Sequence, residues 1–488
     1  MIGIAQSAVT IKAVRRQPGR FGWRPISGVA LYLIAAALAC GVHIALGGSF
    51  SVLFIAYCAV VVSAAPALVF GVRDMPSLFT LIAGAQYVSF ALFWKIFEGG
   101  AFDSGLYSAH TTCVVILIGT LAQASAVFLV HVLWPRAALF KEKFTPNGTL
   151  ILLGIGFSFI TGRFLLSVFS VSALGGVLQI LGDGVRLLLT GWLGYRYYTG
   201  KPLISIHLVG ILLALIVLSF ASNSRQGALD GAIVATFFVL AFRVRVSLPV
   251  LAGVAVFGIL FMTIVSPAIL AARGSREGAS GLQLIENTLD QVQGRIVGRA
   301  QDTDVAEGGA YRLRYFKTRN NILPRIMVLP ELDFIVAKTE QFGPVGTDRY
   351  FALLPEILPS LVVSQKIGNA QTDYKFWVYG VVAWGFVNEL EITPYGDAYS
   401  YGGLPFTFAT ILAQNILFFL FCRLVCPRFD RSLFAVFLLA TNVHGMTGGN
   451  ALSLVSDLVR VMPLEFALFW LASRFGTPPR TAASRSVR

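Results

Sequence analysis

The chain has 488 residues, of which 56% are hydrophobic and only 13% are charged, and its mean hydropathy is +0.74. Soluble domains carry about 25% charged residues, so this composition excludes a soluble globular protein and indicates an integral membrane protein. The formal net charge of +14 would suggest nucleic-acid binding in a soluble protein. Here the basic excess lies largely in loops on one side of the membrane, so no nucleic-acid partner is expected.

Long apolar runs predict about twelve transmembrane helices, because a membrane-spanning helix needs about 20 mainly apolar residues. The predicted fold class is therefore all-α, a polytopic membrane protein with one large periplasmic loop between spans 9 and 10. The predicted spans are 26–47, 50–72, 77–97, 107–134, 148–170, 173–197, 202–221, 226–243, 247–271, 403–425, 431–447 and 451–473. Residues 1–271 hold the first nine spans, 272–402 form the loop, 403–473 hold the last three spans, and 474–488 form a basic cytoplasmic tail.

The basic residues of the short loops predict the orientation, since cytoplasmic loops are enriched in lysine and arginine. Placing the basic N-terminus inside the cell puts five further basic loops and the C-terminal tail on the same side. The loop residues are Arg73, Arg136, Lys141, Lys143, Arg196, Lys201, Arg243, Arg245, Arg423, Arg428 and Arg431. The expected location is the bacterial inner membrane, with both termini cytoplasmic and the large loop in the periplasm.

The large loop is too polar to lie in lipid, and loops of this length are usually functional. Its first part, 280–297, has apolar residues at helical spacing, which predicts an amphipathic helix that packs on the bundle or lies on the membrane surface. A basic and aromatic segment, 311–319, contains Arg314, a candidate substrate-binding residue. None of the five cysteines falls in the loop, and Asp302-Thr303-Asp304 is interpreted as a solvated turn, so neither a metal nor a cofactor is expected.

Charged residues inside the predicted spans need a physical reason, because each costs about 2.5–3.5 kcal/mol near the bilayer centre. Asp183/Arg186 and Asp457/Arg460 have i, i+3 spacing, so each pair can neutralise itself on a helix surface. Two interpretations remain open: buried ion pairs that fasten helices, or the lining of a cavity. Arg163 has no partner nearby in sequence and is therefore a candidate substrate-binding residue.

Arginines also cluster at the predicted outer edge of the membrane. Arg225, in the segment Asn223-Ser224-Arg225-Gln226-Gly227, stands in a short outward-facing loop against the orientation rule. Arg273 and Arg276 follow the next predicted span to the same edge. Guanidinium groups suit phosphate oxygens, so the substrate expected here is an anionic, lipid-linked molecule. A contact with lipid headgroups is the alternative.

The Ser-Arg-x-Gly hinge, the large outer loop and the sequence Gly396-Asp397-Ala398-Tyr399-Ser400-Tyr401-Gly402-Gly403 together resemble the bacterial oligosaccharide repeat-unit polymerases. These are the Wzy-type O-antigen and exopolysaccharide polymerases. The corresponding family segment reads approximately Gly-Glu-Ala-Tyr-x-Asn-Phe-Gly, so Asp397 replaces a glutamate. An arginine in the last span, here Arg460, is also similar to the family.

The resemblance implies a membrane glycosyltransferase that polymerises undecaprenyl-diphosphate-linked repeat units on the periplasmic side. Arg225, Arg273 and Arg276 would stabilise the diphosphate leaving group, and Asp397, Glu389 or Glu391 would accept the proton of the attacking hydroxyl. Asp397 has a second interpretation, as the cap of a helix beginning near Tyr399. The aromatic residues of this region would stack on sugars or form an interfacial belt: Tyr395, Tyr399, Tyr401, Trp377 and Trp384.

Three other functions compete with the polymerase. An O-antigen ligase would carry a histidine in its large outer loop, yet His43, His110, His131, His207 and His444 all lie outside 272–402. A polyprenyl-phosphate-sugar glycosyltransferase would carry acidic residues in its first outer loop, whereas Glu98 and Asp103 stand in the second. A flippase or transporter of lipid-linked oligosaccharides is the non-enzyme alternative. The partners expected for a polymerase are the lipid-linked glycan, the bilayer, a chain-length regulator and a flippase.

Overall fold

The computed structural model describes residues 25–134, 140, 142–168, 182–203, 206–221, 225–244, 246, 252–253, 256, 258, 260–265, 268–269, 281–296, 314–316, 327–358 and 392–475. Within these residues the chain is helical and contains no β-strand. The predicted all-α fold class is therefore confirmed for the part of the chain that is described.

Eight of the helices precede the predicted large loop. They are α1 (Pro25–Ala45), α2 (Phe50–Phe70), α3 (Met75–Phe97, with a π turn at Ala85–Ser89), α4 (Ala109–Leu133), α5 (Pro146–Val168), α6 (Gly184–Tyr198), α7 (Ile206–Ala221) and α8 (Arg225–Phe242). The helices that follow are α9 (Gly281–Ile296), α10 (Leu329–Phe342), α11 (Thr347–Ala352), α12 (Pro394–Val425), α13 (Leu433–Gly448), α14 (Ser453–Arg460) and α15 (Met462–Phe475).

Five helices in the described ranges are long and apolar enough to cross a membrane: α1, α2, α3, α4 and α12. A helix satisfies its backbone N–H and C=O groups internally, which is what the hydrocarbon interior requires. Two shorter apolar helices, Leu229–Phe242 and Leu433–Gly448, accompany them. The chain is thus a helical protein with several candidate membrane helices, and the twelve predicted spans remain a prediction.

The loops predicted to share one side of the membrane meet at one end of the helices, which we call the basic end. Arg73 and Arg243 both pair with Asp430, at 3.0 and 3.4 Å. The Arg423 guanidinium donates to the backbone O of Trp134 at 3.1 Å. These contacts agree with the predicted grouping of the basic loops, and the assignment of this end to the cytoplasm stays a prediction.

The opposite end of α3 and α4 carries two pieces of the predicted large loop, residues 314–316 and 327–358, which we call the cap segment. Asp333 accepts hydrogen bonds from Tyr107 N at 2.6 Å, Ser108 N at 3.0 Å and Thr112 Oγ1 at 2.9 Å, so it joins the cap segment to the residues at the start of α4. Burial nevertheless raises the pKa of Asp333 above its usual value. The buried Lys95 Nζ donates to Tyr315 O at 2.5 Å. The cap segment is therefore fastened to the helices.

The helix that carries the Gly-Asp-Ala-Tyr sequence starts earlier than the predicted span 403–425. α12 begins at Pro394, where Thr393 Oγ1 accepts from Gly396 N at 3.1 Å and caps the helix. The helix is interrupted at Gly402 and Gly403, and the φ of +70° at Gly403 favours glycine. The expectation that Asp397 caps a helix beginning near Tyr399 is therefore wrong, because Thr393 occupies that role.

Two other predicted elements have clear outcomes. The predicted amphipathic helix forms as α9, which packs against α7. Thr288 is its buried side chain, whereas Leu289 of the predicted apolar face is 50% exposed, so the two interpretations of that face both remain predictions. The predicted span 451–473 is divided at Val461 into α14 and α15.

Candidate functional site: a buried charge cluster below the cap segment

Small residues let α5 and α6 approach each other closely at the start of α6. A methyl group at Gly156 would lie 2.3 Å from Leu188 N, and one at Gly184 would lie 3.0 Å from Ile160 N. Only glycine permits this backbone-to-backbone contact, as is common between membrane helices. The close contact fixes the first turn of α6, where Asp183 and Arg186 stand.

Arg186 lies between two carboxylates. Its Nη1 is 2.5 Å from Asp183 Oδ1 and its Nη2 is 3.1 Å from Asp230 Oδ1, on α8. All three residues are buried. The predicted i, i+3 pair of Asp183 and Arg186 is confirmed, and the structure adds a second acid from another helix. One guanidinium facing two carboxylates leaves this group with a negative charge when all three are ionised.

Two more carboxylates approach from α14 and α15. The Glu465 carboxyl lies beside that of Asp183 and within electrostatic reach of Arg186 and Asp457. Glu465 is 3% exposed, and both of its oxygens are buried without a hydrogen-bond donor among the residues that the structure describes. We call Asp183, Arg186, Asp230, Asp457 and Glu465 the charge cluster.

Arg460 links the charge cluster to the cap segment rather than pairing with Asp457. Its Nε donates to Ile357 O at 2.8 Å and its Nη2 donates to Leu358 O at 2.9 Å. The direct contact predicted between Asp457 and Arg460 from their spacing is therefore replaced by two contacts with the short 3-10 turn Leu354–Ile357 and the residue after it. Arg460 thus binds the cap segment, and it follows Asp457, an acid of the charge cluster, by three residues in the sequence.

Asp397 lies in the first turns of α12 and is 4% exposed. Its Oδ2 accepts a hydrogen bond from Ala451 N at 2.8 Å, in the connection between α13 and α14. Just beyond it, the carbonyls of Ser400 and Tyr401 accept from Val345 N and Gly346 N, at 2.7 and 3.2 Å. The Gly-Asp-Ala-Tyr sequence is thus the place where α12, the cap segment and the α13–α14 connection are joined.

Two of the three tyrosines expected to stack on sugars or to form an interfacial belt, Tyr395 and Tyr399, lie in different surroundings. Tyr395 is fully buried and stacks on Tyr87, with ring centroids 4.2 Å apart and planes 6° from parallel. A methyl group at Gly119 would lie 2.6 Å from the Tyr395 ring, so this tyrosine is part of the packing between α4 and α12. Tyr399 is half-buried against the same core.

Two predicted arginines are exposed. Arg163 stands on the surface of α5, and its Nη1 would lie 3.7 Å from a methyl group at Gly182, the residue before Asp183. Arg314 stacks its guanidinium over the Tyr107 ring, 4.2 Å from the centroid, and lies near Asp333. Arg163 thus borders the charge cluster, whereas Arg314 belongs to the junction between the cap segment and α4.

The remaining predicted site residues lie outside the described part of the chain. These are Arg273, Arg276 and Glu389, together with Glu391, Trp377 and Trp384. Arg225 is described only as the first residue of α8, without its side chain. That helix places Arg225 five residues before Asp230, about one and a half turns from the charge cluster.

Sequence analysis missed Asp230 and Glu465, although both carry the signal that singled out the other members. Each is an ionisable residue inside a predicted span, 226–243 for Asp230 and 451–473 for Glu465. Neither has an oppositely charged residue at helical spacing that would have paired it in the sequence.

The composition of the site bears on the ligands that it can take. In the described residues, no group of three or more His, Cys, Asp or Glu side chains is placed to hold a metal ion.

No protein-family model, curated protein or solved structure matches this chain.

Proposed function

We propose that the chain is a polytopic enzyme of the bacterial inner membrane, with about twelve spans and the cap segment on the periplasmic side. In this proposal it polymerises oligosaccharide repeat units carried on undecaprenyl diphosphate. The observation that supports it most is the Arg460 contact with Ile357 and Leu358, which holds a polar cap above charged residues buried between apolar helices. A lipid-linked glycan needs this combination, because its tail stays in lipid while its diphosphate and sugars need polar surroundings.

The reaction defines what the residues would do. The hydroxyl of the acceptor sugar attacks the anomeric carbon of the donor, the bond from that carbon to the diphosphate oxygen breaks, and undecaprenyl diphosphate leaves. Arg225, Arg273 and Arg276 are the proposed donors to the departing diphosphate, since fixed cations stabilise charge that develops in the transition state. The proton of the attacking hydroxyl goes to a carboxylate.

The contacts of Asp397 bear on which of the candidate carboxylates accepts the proton. Asp397 is nearly inaccessible and accepts a backbone hydrogen bond that joins two parts of the fold. These properties suit a positioning residue, so we assign the proton acceptor to Glu389 in this proposal. Glu391 stays the alternative for the same step.

The direct test uses purified protein in liposomes with the lipid-linked oligosaccharides extracted from a strain that lacks this gene. We expect a ladder of longer glycans and release of undecaprenyl diphosphate. Arg225→Ala should reduce the rate by about 10²–10³, the scale for losing one preorganised donor, and Arg225→Lys should retain partial activity.

Arg243→Ala is the matched control, because Arg243 is exposed at the basic end and forms a surface ion pair with Asp430. This variant should make a normal ladder. Substrate that stays at one repeat unit with the folded wild-type protein would exclude the polymerase.

A flippase or transporter of lipid-linked oligosaccharides is the second candidate, and the charge cluster favours it specifically. Ionisable residues buried between membrane helices often mark transport pathways. In the same liposomes, a flippase would move the glycan across the membrane without lengthening it. Protection of the glycan from an added glycosidase reports this movement, so the two candidates give different products. An O-antigen ligase would instead transfer the glycan to a lipid A core acceptor added to the assay.

A further inference from the structure

We call residues 347–358, which contain α11 and the short 3-10 turn after it, the α11 segment. One face of this segment packs on the protein. Tyr350 is buried, and Leu353 and Ile357 pack against the same small core, which includes Tyr401 in the first turns of α12. These contacts fix the α11 segment on α12, so the direction of its other face is defined.

The opposite face of the α11 segment is exposed and apolar. After the first turn of α11, the exposed side chains that the structure describes in this segment all lack a hydrogen-bonding group: Phe351, Ala352, Leu354, Pro355 and Leu358. Phe351 is 56% exposed, and Leu354 and Leu358 are 39% and 40% exposed. Neighbouring exposed apolar side chains of this size mark a surface that a protein or a membrane covers.

The backbone carbonyls at the end of this face have a donor from the protein. Arg460, on α14, donates from Nε to Ile357 O at 2.8 Å and from Nη2 to Leu358 O at 2.9 Å. A turn in water can leave such carbonyls to the solvent, whereas the hydrocarbon of a bilayer offers no donor. The two contacts are therefore what a turn in contact with lipid requires.

The position of the α11 segment along α12 also agrees with a place in the membrane. After its interruption, α12 continues through residues 404–425, which corresponds to about 33 Å of helix. The hydrocarbon core of a bilayer is about 30 Å thick, so this part of α12 is long enough to cross it, with Phe406 near the edge opposite the basic end. The Phe406 ring contacts the rings of Tyr350 and Phe351, with centroids 5.0 and 6.2 Å away. Phe351 thus lies at the level where the hydrocarbon would begin.

The apolar surface continues on α14 and α15. Val459, next to Arg460, is 41% exposed, and Leu464, about one turn further, is 38% exposed. Both belong to the predicted span 451–473. Because Arg460 binds Leu358, the apolar face of the α11 segment adjoins a surface that is expected to face lipid. This continuity favours a membrane over a protein partner as the cover of the face.

We propose that the acyl chains of the leaflet opposite the basic end cover the apolar face of the α11 segment, so that this part of the predicted large loop lies in the membrane. The large loop is on average too polar for lipid, and the α11 segment is the exception. In this arrangement the lipid and Arg460 together hold the cap segment at the membrane surface. The inference is independent of the proposed polymerase activity, because it follows from exposure, hydrogen bonding and position.

The test uses the purified full-length protein in lipid nanodiscs, where both sides of the membrane are open to the buffer. A nitrobenzoxadiazole fluorophore is attached to the new cysteine of Phe351→Cys, Leu354→Cys or Leu358→Cys. These side chains are exposed, so their replacement leaves the packed face of the segment intact. We expect lipids that carry a nitroxide on the acyl chain to quench the fluorescence at all three positions, and iodide in the buffer to have little effect.

Asp348→Cys is the matched control, because Asp348 is exposed in the first turn of the same helix. Glu340→Cys is a second control, on α10, where Glu340 is exposed and accepts a hydrogen bond from Ser108 Oγ. Iodide should quench both labels more than the acyl-chain nitroxide does. The wild type should bind little fluorophore, since four of its cysteines are buried and Cys58 is half-buried.

Two results would overturn the proposal. Quenching of the Leu354→Cys and Leu358→Cys labels by iodide would place the face in water. Labels that neither quencher reaches would show that protein covers the face, either a second copy of this chain or another part of it. Phe351 contacts Phe406, so the other two variants decide the question if Phe351→Cys does not fold. The fluorescence needs no substrate, so its outcome is separate from that of the polymerase assay.

Discussion

Asp397 accepts a hydrogen bond from the backbone N of Ala451 at 2.8 Å, across 54 residues of sequence, in a place where both residues are buried. The contact joins the first turns of α12 to the connection between α13 and α14. A buried backbone N–H that loses its acceptor costs about 1–3 kcal/mol. Asp397 is therefore important for the arrangement of these helices, whatever else it does.

We expect Asp397→Ala to lower the free energy of unfolding by about 1–3 kcal/mol and to reduce polymer formation, because Ala451 N loses its acceptor. Asp397→Asn retains a side-chain oxygen, so it should stay close to the wild type in stability and make a polymer ladder. The measurements are thermal unfolding in detergent and the glycan ladder on a gel. An Asn variant that is stable but makes no polymer would instead identify Asp397 as the proton acceptor.

Arg460 offers a test of the connection between the charge cluster and the cap segment. Its two donors hold the carbonyls of Ile357 and Leu358. In Arg460→Ala both donors are lost, so the 3-10 turn should open more easily. A loss of about 1–2 kcal/mol in the free energy of opening corresponds to roughly 5–30-fold faster hydrogen exchange. Exchange at the Leu358 amide, which donates to Pro355 O, reports this directly.

The matched controls use the same exchange measurement. Arg460→Lys retains the positive charge but has one nitrogen instead of the two that donate to Ile357 and Leu358. Its exchange rate should therefore lie between those of the wild type and Arg460→Ala. Lys338→Ala removes a half-buried cation from α10 that does not contact Ile357 or Leu358 among the described contacts, and it should leave the rate unchanged. Equal exchange in Arg460→Ala and the wild type would show that the cap segment is held elsewhere.

Local features of the fold were predictable from the sequence because they depend on neighbouring residues. The apolar runs predicted α1 to α4, the helical spacing of 280–297 predicted α9, and the basic loops predicted which ends of the helices lie together. The start of α12 was not predicted, because Thr393 and Pro394 begin a helix inside a polar segment. The interruption at Val461 was not predicted either, although Pro463, in the first turn of α15, is a sequence signal for a helix start.

The candidate site was predictable only where partners are close in sequence. Asp183 and Arg186 were paired correctly from their i, i+3 spacing. Asp230, 44 residues from Arg186, and Glu465 join them through tertiary packing, which spacing does not reveal. The Arg460 contacts were equally hidden, because backbone carbonyls are present at every residue and leave no sequence signal.

The orientation of the chain gives a prediction that does not depend on enzymatic activity. We expect a cysteine introduced at Ser280, before α9, to react with an impermeant maleimide in intact spheroplasts. Lys201→Cys, exposed beyond the end of α6, should react only after lysis. Four native cysteines are buried and the fifth, Cys58, is half-buried, so background labelling should be low. The reverse pattern would place the cap segment in the cytoplasm and exclude a periplasmic reaction.

Glu142, in the predicted cytoplasmic loop between α4 and α5, gives a prediction on pH. Its carboxyl accepts from Ser432 Oγ and Leu433 N, both at 2.6 Å, and from Phe434 N at 3.3 Å, at the start of α13. These donors lower its pKa, but burial outweighs them and raises the pKa to about 7. A carboxyl whose pKa is higher in the folded than in the unfolded state binds more protons when folded, so stability falls as pH rises through 7.

We therefore expect the melting temperature of the wild type to fall between pH 5 and pH 8 by more than that of Glu142→Gln, which cannot ionise. Asp333, whose pKa is also raised, contributes to the slope of both proteins and cancels in their difference. Glu340→Gln removes an exposed carboxyl and should retain the wild-type slope. The measurement is thermal unfolding of each variant in the same detergent at several pH values. If Glu142→Gln and the wild type have equal slopes, Glu142 is already ionised at pH 5 and its hydrogen bonds outweigh its burial.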